Sequence, residues 1–184
     1  MDVRPLLDRI AALHDSRDVV LVGIGGRGGA GKTTLAHAIP HAEIVSTDEF
    51  WDGREFKLSL LRREVFDRLV AGHAARFASF DWIAKESRGE RVVEPSGVVV
   101  VEGVCALHRM FRDDYRLRVW VEAPRDVRLA RGVTRDGEAA RATWEEIWMP
   151  MEDRYVERDD PIAAADLIVD GTVQVWGCFY KCHP

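Results

Sequence analysis

Cysteine is scarce in this chain of 184 residues. Its three thiols, Cys105, Cys178 and Cys182, are too few and odd in number for a disulfide framework. Cys178, Cys182 and His183 make one C-x-x-x-C-H group, but a zinc site needs a second ligand pair. Free thiols in a reducing cytoplasm are therefore expected. Positive charge is not in excess either: a formal net charge of -5 removes any overall electrostatic reason to bind DNA or RNA. No apolar run approaches the ~20 residues that cross a bilayer, so no membrane partner is expected. Met1-Asp2-Val3-Arg4-Pro5 has no apolar segment behind a basic one, and a secretory leader is not expected. Internal repeats, low-complexity tracts and linkers are also missing. What remains is 47% hydrophobic and 31% charged, the balance of a soluble globular protein. The length suits one domain over 1–184.

One stretch organises the rest. Gly26-Arg27-Gly28-Gly29-Ala30-Gly31-Lys32-Thr33 fits G-x-x-x-x-G-K-[ST], the phosphate-binding loop. Val19-Val20-Leu21-Val22-Gly23-Ile24 before it is a continuous apolar run, which reads as a buried parallel strand. Thr33 to Ile39 after it has helical apolar spacing and stops before Pro40. The glycines let successive N–H groups turn inward as an anion nest. Lys32 is expected at the β- and γ-phosphates and the Thr33 hydroxyl on Mg²⁺. Gly26, Arg27, Gly28, Gly29, Ala30, Gly31, Lys32, Thr33 and Thr34 are thus the candidate nucleotide-binding residues. ATP is the expected donor, with GTP the alternative.

The remaining pattern alternates strands with helices. Residues 3–14 carry Val3, Leu6, Leu7, Ile10 and Leu13 at helical spacing. Ala42–Ser46 is a short strand, residues 58–71 a helix ending at Gly72, and Phe77–Pro95 a less regular segment. Gly97–Gly103 is the clearest central strand, apolar until Glu102 closes it. Leu117–Glu122 is another strand, residues 125–136 and 143–157 are helices, and Asp166–Gly171 is a last short strand. Near-continuous apolar strands separated by helices predict an α/β fold: a three-layer parallel sheet of the P-loop NTPase type, covered on both faces. Ligands in such sheets bind beyond the carboxyl ends of the strands.

Those strand ends supply the chemistry. Phosphoryl transfer needs a divalent ion held by carboxylates or hydroxyls, and Glu102, with Thr33, is the metal candidate. An alcohol acceptor also needs a base, and Asp48 at the end of the second strand is that candidate. Arg125, Arg128, Arg131 and Arg135 recur every three or four residues, with Arg141 beyond Gly137, so several share one helix face. Guanidinium groups closing over phosphates neutralise charge and exclude water. A mobile arginine lid over about 125–142 is expected, with Arg128, Arg131 and Arg135 joining Lys32 and Asp48 as catalytic candidates.

In several ordered places the chain resembles the uridine kinase and phosphoribulokinase group of P-loop kinases. Asp48-Glu49-Phe50-Trp51 is similar to that group's Asp-x-Phe-Tyr, and Phe80-Asp81-Trp82 to its Tyr-Asp-Phe or Tyr-Asp-Trp. Val100-Val101-Glu102-Gly103 matches its strand end, Asp126–Asp136 resembles its arginine lid, and Ala165-Asp166-Leu167-Ile168 its closing element. The resemblance spans about residues 18–172. It implies an ATP- and Mg²⁺-dependent kinase of a small hydroxylated acceptor, with Asp48 as base and Glu102 and Thr33 on the metal side. Departures fall in the acceptor region: Trp51–Leu58 does not keep the Asp-His-Pro-x-Ala-Phe-Asp-like stretch of uridine kinases, and their pocket tyrosine is Phe80 here. Phe50, Trp51, Phe80, Asp81 and Trp82 are the substrate candidates, the aromatic ones by stacking on a ring.

Two alternatives stay open: a nucleoside monophosphate kinase, whose acceptor phosphate extra arginines would hold, and a P-loop ATPase without an acceptor. Against the second stand the missing Asn-Lys-x-Asp and strand-end Asp-x-x-Gly motifs. Val175, Trp176, Phe179 and Tyr180 make the last stretch too apolar for a free tail; packing on the domain or on a second copy in a homo-oligomer is expected.

Overall fold

In strand β1 (Val20–Gly26) every residue is buried, because the strand has apolar surface on both sides. The computed structural model describes residues 4–13, 19–81 and 86–173, with only the backbone at 80, 81 and 86–88. Strands β2 (Glu43–Ser46), β5 (Val98–Glu102), β6 (Leu117–Glu122) and β7 (Leu167–Asp170) join β1 in a sheet of order β2-β5-β1-β6-β7. All four pairings are parallel.

The strand period of two sorts the core into two layers. Val20, Val22 and Ile24 face a cluster with Leu6 and Ile10 of helix α1 (Arg4–Leu13) and Leu35 of helix α2 (Lys32–His37). Leu21 points the other way, into a cluster holding Trp120, Phe66 and Phe111. Each fully buried aliphatic or aromatic side chain contributes roughly 1.5–3 kcal/mol. Phe66 lies in helix α3, formed by Leu58–Leu61, the π-helical Arg62–Phe66 and Asp67–Val70. Helix α4 is Arg125–Asp136. Helix α5 runs through Arg141–Thr143, the π-helical Trp144–Trp148 and Met149–Asp159. Among the described residues no helix is long and apolar enough to cross a membrane.

The expected irregular segment at 77–95 is instead an antiparallel pair, β3 (Ala75–Asp81) with β4 (Glu86–Val93). Ala75, Phe77 and Val93 are buried in the second core. Their alternation was hidden by the charges of β4, whose ladder comes from pairing with β3 rather than from its own apolar pattern. Trp82 and the apolar tail from 174 onward lie outside the described residues.

Candidate active site

Strand register alone gathers the site. Glu102, the last residue of β5, lies opposite Ile24 of β1 and Ser46 of β2. The phosphate loop follows β1, and a 3-10 turn, Thr47–Phe50, follows β2. A cleft of about 680 Å³ opens there, its floor made by Lys32, Thr33, Thr34, Asp48 and Glu102.

The loop needs its glycines at named points. Gly29 has φ +75°, and a Cβ there would lie 2.5 Å from the Arg128 carbonyl oxygen. A Cβ on Gly28 would lie 2.6 Å from Glu152 Oε1. Helix α2 is only six residues long, so the anion-binding power rests on the loop's N–H groups and on Lys32 more than on a helix dipole. Lys32 is buried, and its Nζ donates to the Arg27 carbonyl at 3.1 Å.

Glu102 is 5% exposed. Burial pushes its carboxyl above the usual range and nearby Asp48 adds to this; Lys32 and hydrogen bonds from the Ser46 and Thr33 hydroxyls oppose it. Among the described residues no group of three or more His, Cys, Asp or Glu could hold a metal by itself. One buried carboxylate beside a threonine hydroxyl nevertheless fits Mg²⁺, which takes one or two carboxylates and completes its shell with phosphate oxygens and water.

Asp48 projects into the cleft from a turn built by a capping box. Ser46 Oγ accepts from Asp48 N at 3.3 Å, and Glu49 Oε1 accepts from Ser46 N at 3.1 Å. Glu49 also accepts from Ser79 Oγ and from Arg91 Nη1, both at 2.6 Å, which ties the β3–β4 pair to the turn.

The arginines on α4 divide. Arg131 Nη1 donates to the Gly29 and Gly171 carbonyls at 3.2 and 3.0 Å, and Arg135 lines the cleft above the Trp144 ring. Arg128, expected on the lid face, is 3% exposed and points away from the cleft. Its Nε donates to the Ala123 carbonyl at 3.0 Å, and its Nη1 pairs with Glu152 at 3.3 Å. Arg128 and Arg135 are seven residues apart and share a helix face, so what separates them is position along α4: Arg128 lies in the first turn, over Ala123 and Glu152, and Arg135 in the last. Arg27 is likewise held by Asp153, at 3.0 Å, and by Glu122.

Two substrate candidates separate in the same way. Phe50 is core, 5.0 Å from Phe77 between ring centroids, and it lines no cleft described here. Trp51 faces the site, its ring 4.8 Å from that of Phe56. The side chains of Phe80 and Asp81, like all of Trp82, lie outside the described residues. A second cleft of about 590 Å³ shares Trp51, Phe56, Val104, Met151 and Glu152 with the first. Among the lining residues that the sequence did not single out, α5 supplies Trp144, Trp148, Met151 and Glu152. The Trp-rich helix spacing was the available signal, and it reads equally well as core. Cys105 is buried, its thiol pushed up to about 12 by desolvation, and it is inert as a nucleophile.

No family model matches the chain. It is similar to the uridine kinase of Halobacterium salinarum, 30% identical over 139 residues, covering 62% of this chain and 61% of that one. The uridine kinase of Lactobacillus johnsonii is 27% identical over 148 residues, covering 66% and 69%. Both relatives bear the same name, so uridine kinases are what the chain is similar to. The match spans less than two thirds of the length of the Halobacterium relative. In fold, it superposes on the structure of a possible uridine kinase from Bacillus stearothermophilus with a TM-score of 0.64 at 20% identity, covering 90% of this chain and 100% of that one. The names of the two relatives agree with the family that the sequence resembles.

Proposed function

We propose that the protein is a cytoplasmic, ATP-dependent kinase that transfers the γ-phosphoryl group to a hydroxyl of a nucleoside-like small metabolite, with GTP as the alternative donor. One observation carries this reading. The phosphate loop, Asp48 and Glu102 share a cleft whose Trp51 and Phe56 also line a second one. The first has the groups to hold a triphosphate, and the second has room for an acceptor beside it.

Glu102 and Thr33 would hold Mg²⁺, which when bound neutralises charge on the β- and γ-phosphates. Lys32 grips the same phosphates, and Arg135 closes the opposite wall. Asp48 orients the acceptor hydroxyl and takes its proton. The acceptor oxygen bonds to the γ-phosphorus as the bond to the bridging oxygen breaks, and the nucleoside diphosphate leaves with that electron pair.

A second reading has its own support. Arg54 and Arg154 line the second cleft with no ion-pair partner among the described residues, while its Glu55 is held by Lys57. Free guanidinium groups there favour an acceptor bearing an acid group, as in a nucleoside monophosphate.

The test is acceptor-dependent ADP release across nucleosides, nucleoside monophosphates and other hydroxylated metabolites, with Asp48→Asn beside wild type. The variant keeps shape but loses the basic site, so transfer falls by ~10²–10⁴-fold. Nucleotide affinity by calorimetry stays unchanged, and slow hydrolysis by water falls less. Undiminished transfer in Asp48→Asn would remove this residue from the chemistry.

A further inference from the structure

We propose that Glu152 competes with the terminal phosphate for the phosphate loop, and so determines how the loop discriminates between a nucleoside triphosphate and a diphosphate. This rests on the nucleotide-binding reading above. The loop already holds an anion of its own: Gly28 N donates to Glu152 Oε1 at 2.9 Å. Glu152 is 3% exposed, and its second oxygen faces Arg128 at 3.3 Å. Only a residue without a side chain at 28 admits this approach.

The position of the contact gives it meaning. Lys32 Nζ sits on the Arg27 carbonyl, one residue before Gly28, so the ammonium that grips the β- and γ-phosphates is at this end of the loop. Lys32, Arg128 and Arg27 are the cations whose charge reaches Glu152. The neighbouring acid, Asp153, is engaged by Arg27 and Arg125. An anion held jointly by Lys32 and the Gly28 N–H would occupy the place that the Glu152 carboxylate now takes. One N–H cannot serve both, and two anions at that spacing repel strongly in a half-buried site.

A diphosphate is cradled by N–H groups further along the loop, so it leaves the contact intact. A triphosphate must displace Glu152. Because Glu152 lines both clefts and α5 carries Trp144, Trp148 and Met151 beside it, that displacement also reshapes the wall facing the acceptor. Glu152 is thus a specificity-determining residue for the donor, and the cost of moving it falls on the triphosphate alone.

The experiment is calorimetry with Mg·AMP-PNP, a non-hydrolysable triphosphate, and with Mg·ADP on wild type, Glu152→Gln and Glu152→Asp. Gln keeps an acceptor for Gly28 but no charge. Asp keeps a charge for Arg128 but is one methylene too short to reach the loop, which guards against loss of folding in the Gln variant. Triphosphate Kd is expected to fall by roughly tenfold in both, a small part of the full charge repulsion. ADP Kd is expected to move by less than about twofold, because the diphosphate never meets residue 152. Equal changes for the two nucleotides, or weaker triphosphate binding, would overturn the proposal while leaving the nucleotide-binding reading standing. A wild-type protein that binds neither nucleotide would overturn that reading, and the proposal with it.

Discussion

The two clefts, donor half and acceptor half of the site in the function proposed above, are built from different materials. The donor half is backbone: one run of eight residues turns on its glycines and presents its N–H groups, with Lys32 folded over them. The acceptor half is side chain: Trp51 and Phe56, Val104 and Cys105, and Met151 to Arg158 meet only because three distant segments fold against one another. A backbone site is specified locally, so spacing alone reveals it. A side-chain site is specified by the fold, and loops can change it without disturbing the sheet. On the function proposed above, the donor chemistry therefore belongs to the fold, and the acceptor's identity to Trp51–Leu58 and α5.

Breaking the donor half should have the largest effect. Lys32→Ala removes the charge between the β- and γ-phosphates, and transfer should fall by at least about a thousandfold at saturating Mg²⁺ and nucleotide. The sheet behind the loop should melt as in wild type. Activity within tenfold of wild type would end the donor reading.

Breaking the acceptor half should have a smaller and more selective effect. Trp51→Ala removes one of two rings packed at 4.8 Å on the shared wall. Loss of a stacking platform is worth about 1–3 kcal/mol, so the acceptor KM should rise roughly 10–100-fold. Nucleotide affinity, measured by calorimetry, should not move, because no part of the phosphate loop has changed. A matching loss of nucleotide affinity would merge the two halves into one.

The same division explains what was legible. Val20–Gly26 and Val98–Glu102 announced buried parallel strands through unbroken apolar runs, and register then carried Glu102 to Ser46 and the loop. The β3–β4 pair was invisible because its inward residues are few and its outward ones charged. Arg128 and Arg131 look equivalent in sequence, three residues apart on one helix. They lie about 60° apart around its axis and one turn apart along it, and that offset buries one against Glu152 and leaves the other on the Gly29 carbonyl. Phe50 and Trp51 divide for a simpler reason: they are adjacent at the end of a turn and point opposite ways. Glu152 carried no sequence signal, since an acid on a charged helix is ordinarily solvated.

The smallest effect sharpens the comparison on the donor side, at Glu102. Glu102→Gln keeps shape and removes charge, so the Mg²⁺ concentration for half-maximal rate should rise while the acceptor KM stays put. Its stability should move in the opposite direction. Burial raises the Glu102 pKa in the folded protein, so the folded state holds its proton to higher pH than the unfolded chain does. The associated stability is fully present below the ordinary glutamate pKa and is lost as pH rises through the raised value. At neutral pH wild type therefore bears the cost of a buried charge that the Gln variant does not. The nucleotide-free variant should melt a few degrees higher at pH 7.5, and about equally at pH 4, a shift of the size that ~1 kcal/mol produces. Thermal melts of both proteins across that range decide it. A gap that is constant with pH would mean that the Glu102 charge costs the empty protein nothing, and that its place at the strand end owes more to Lys32 and the two hydroxyls than to the metal.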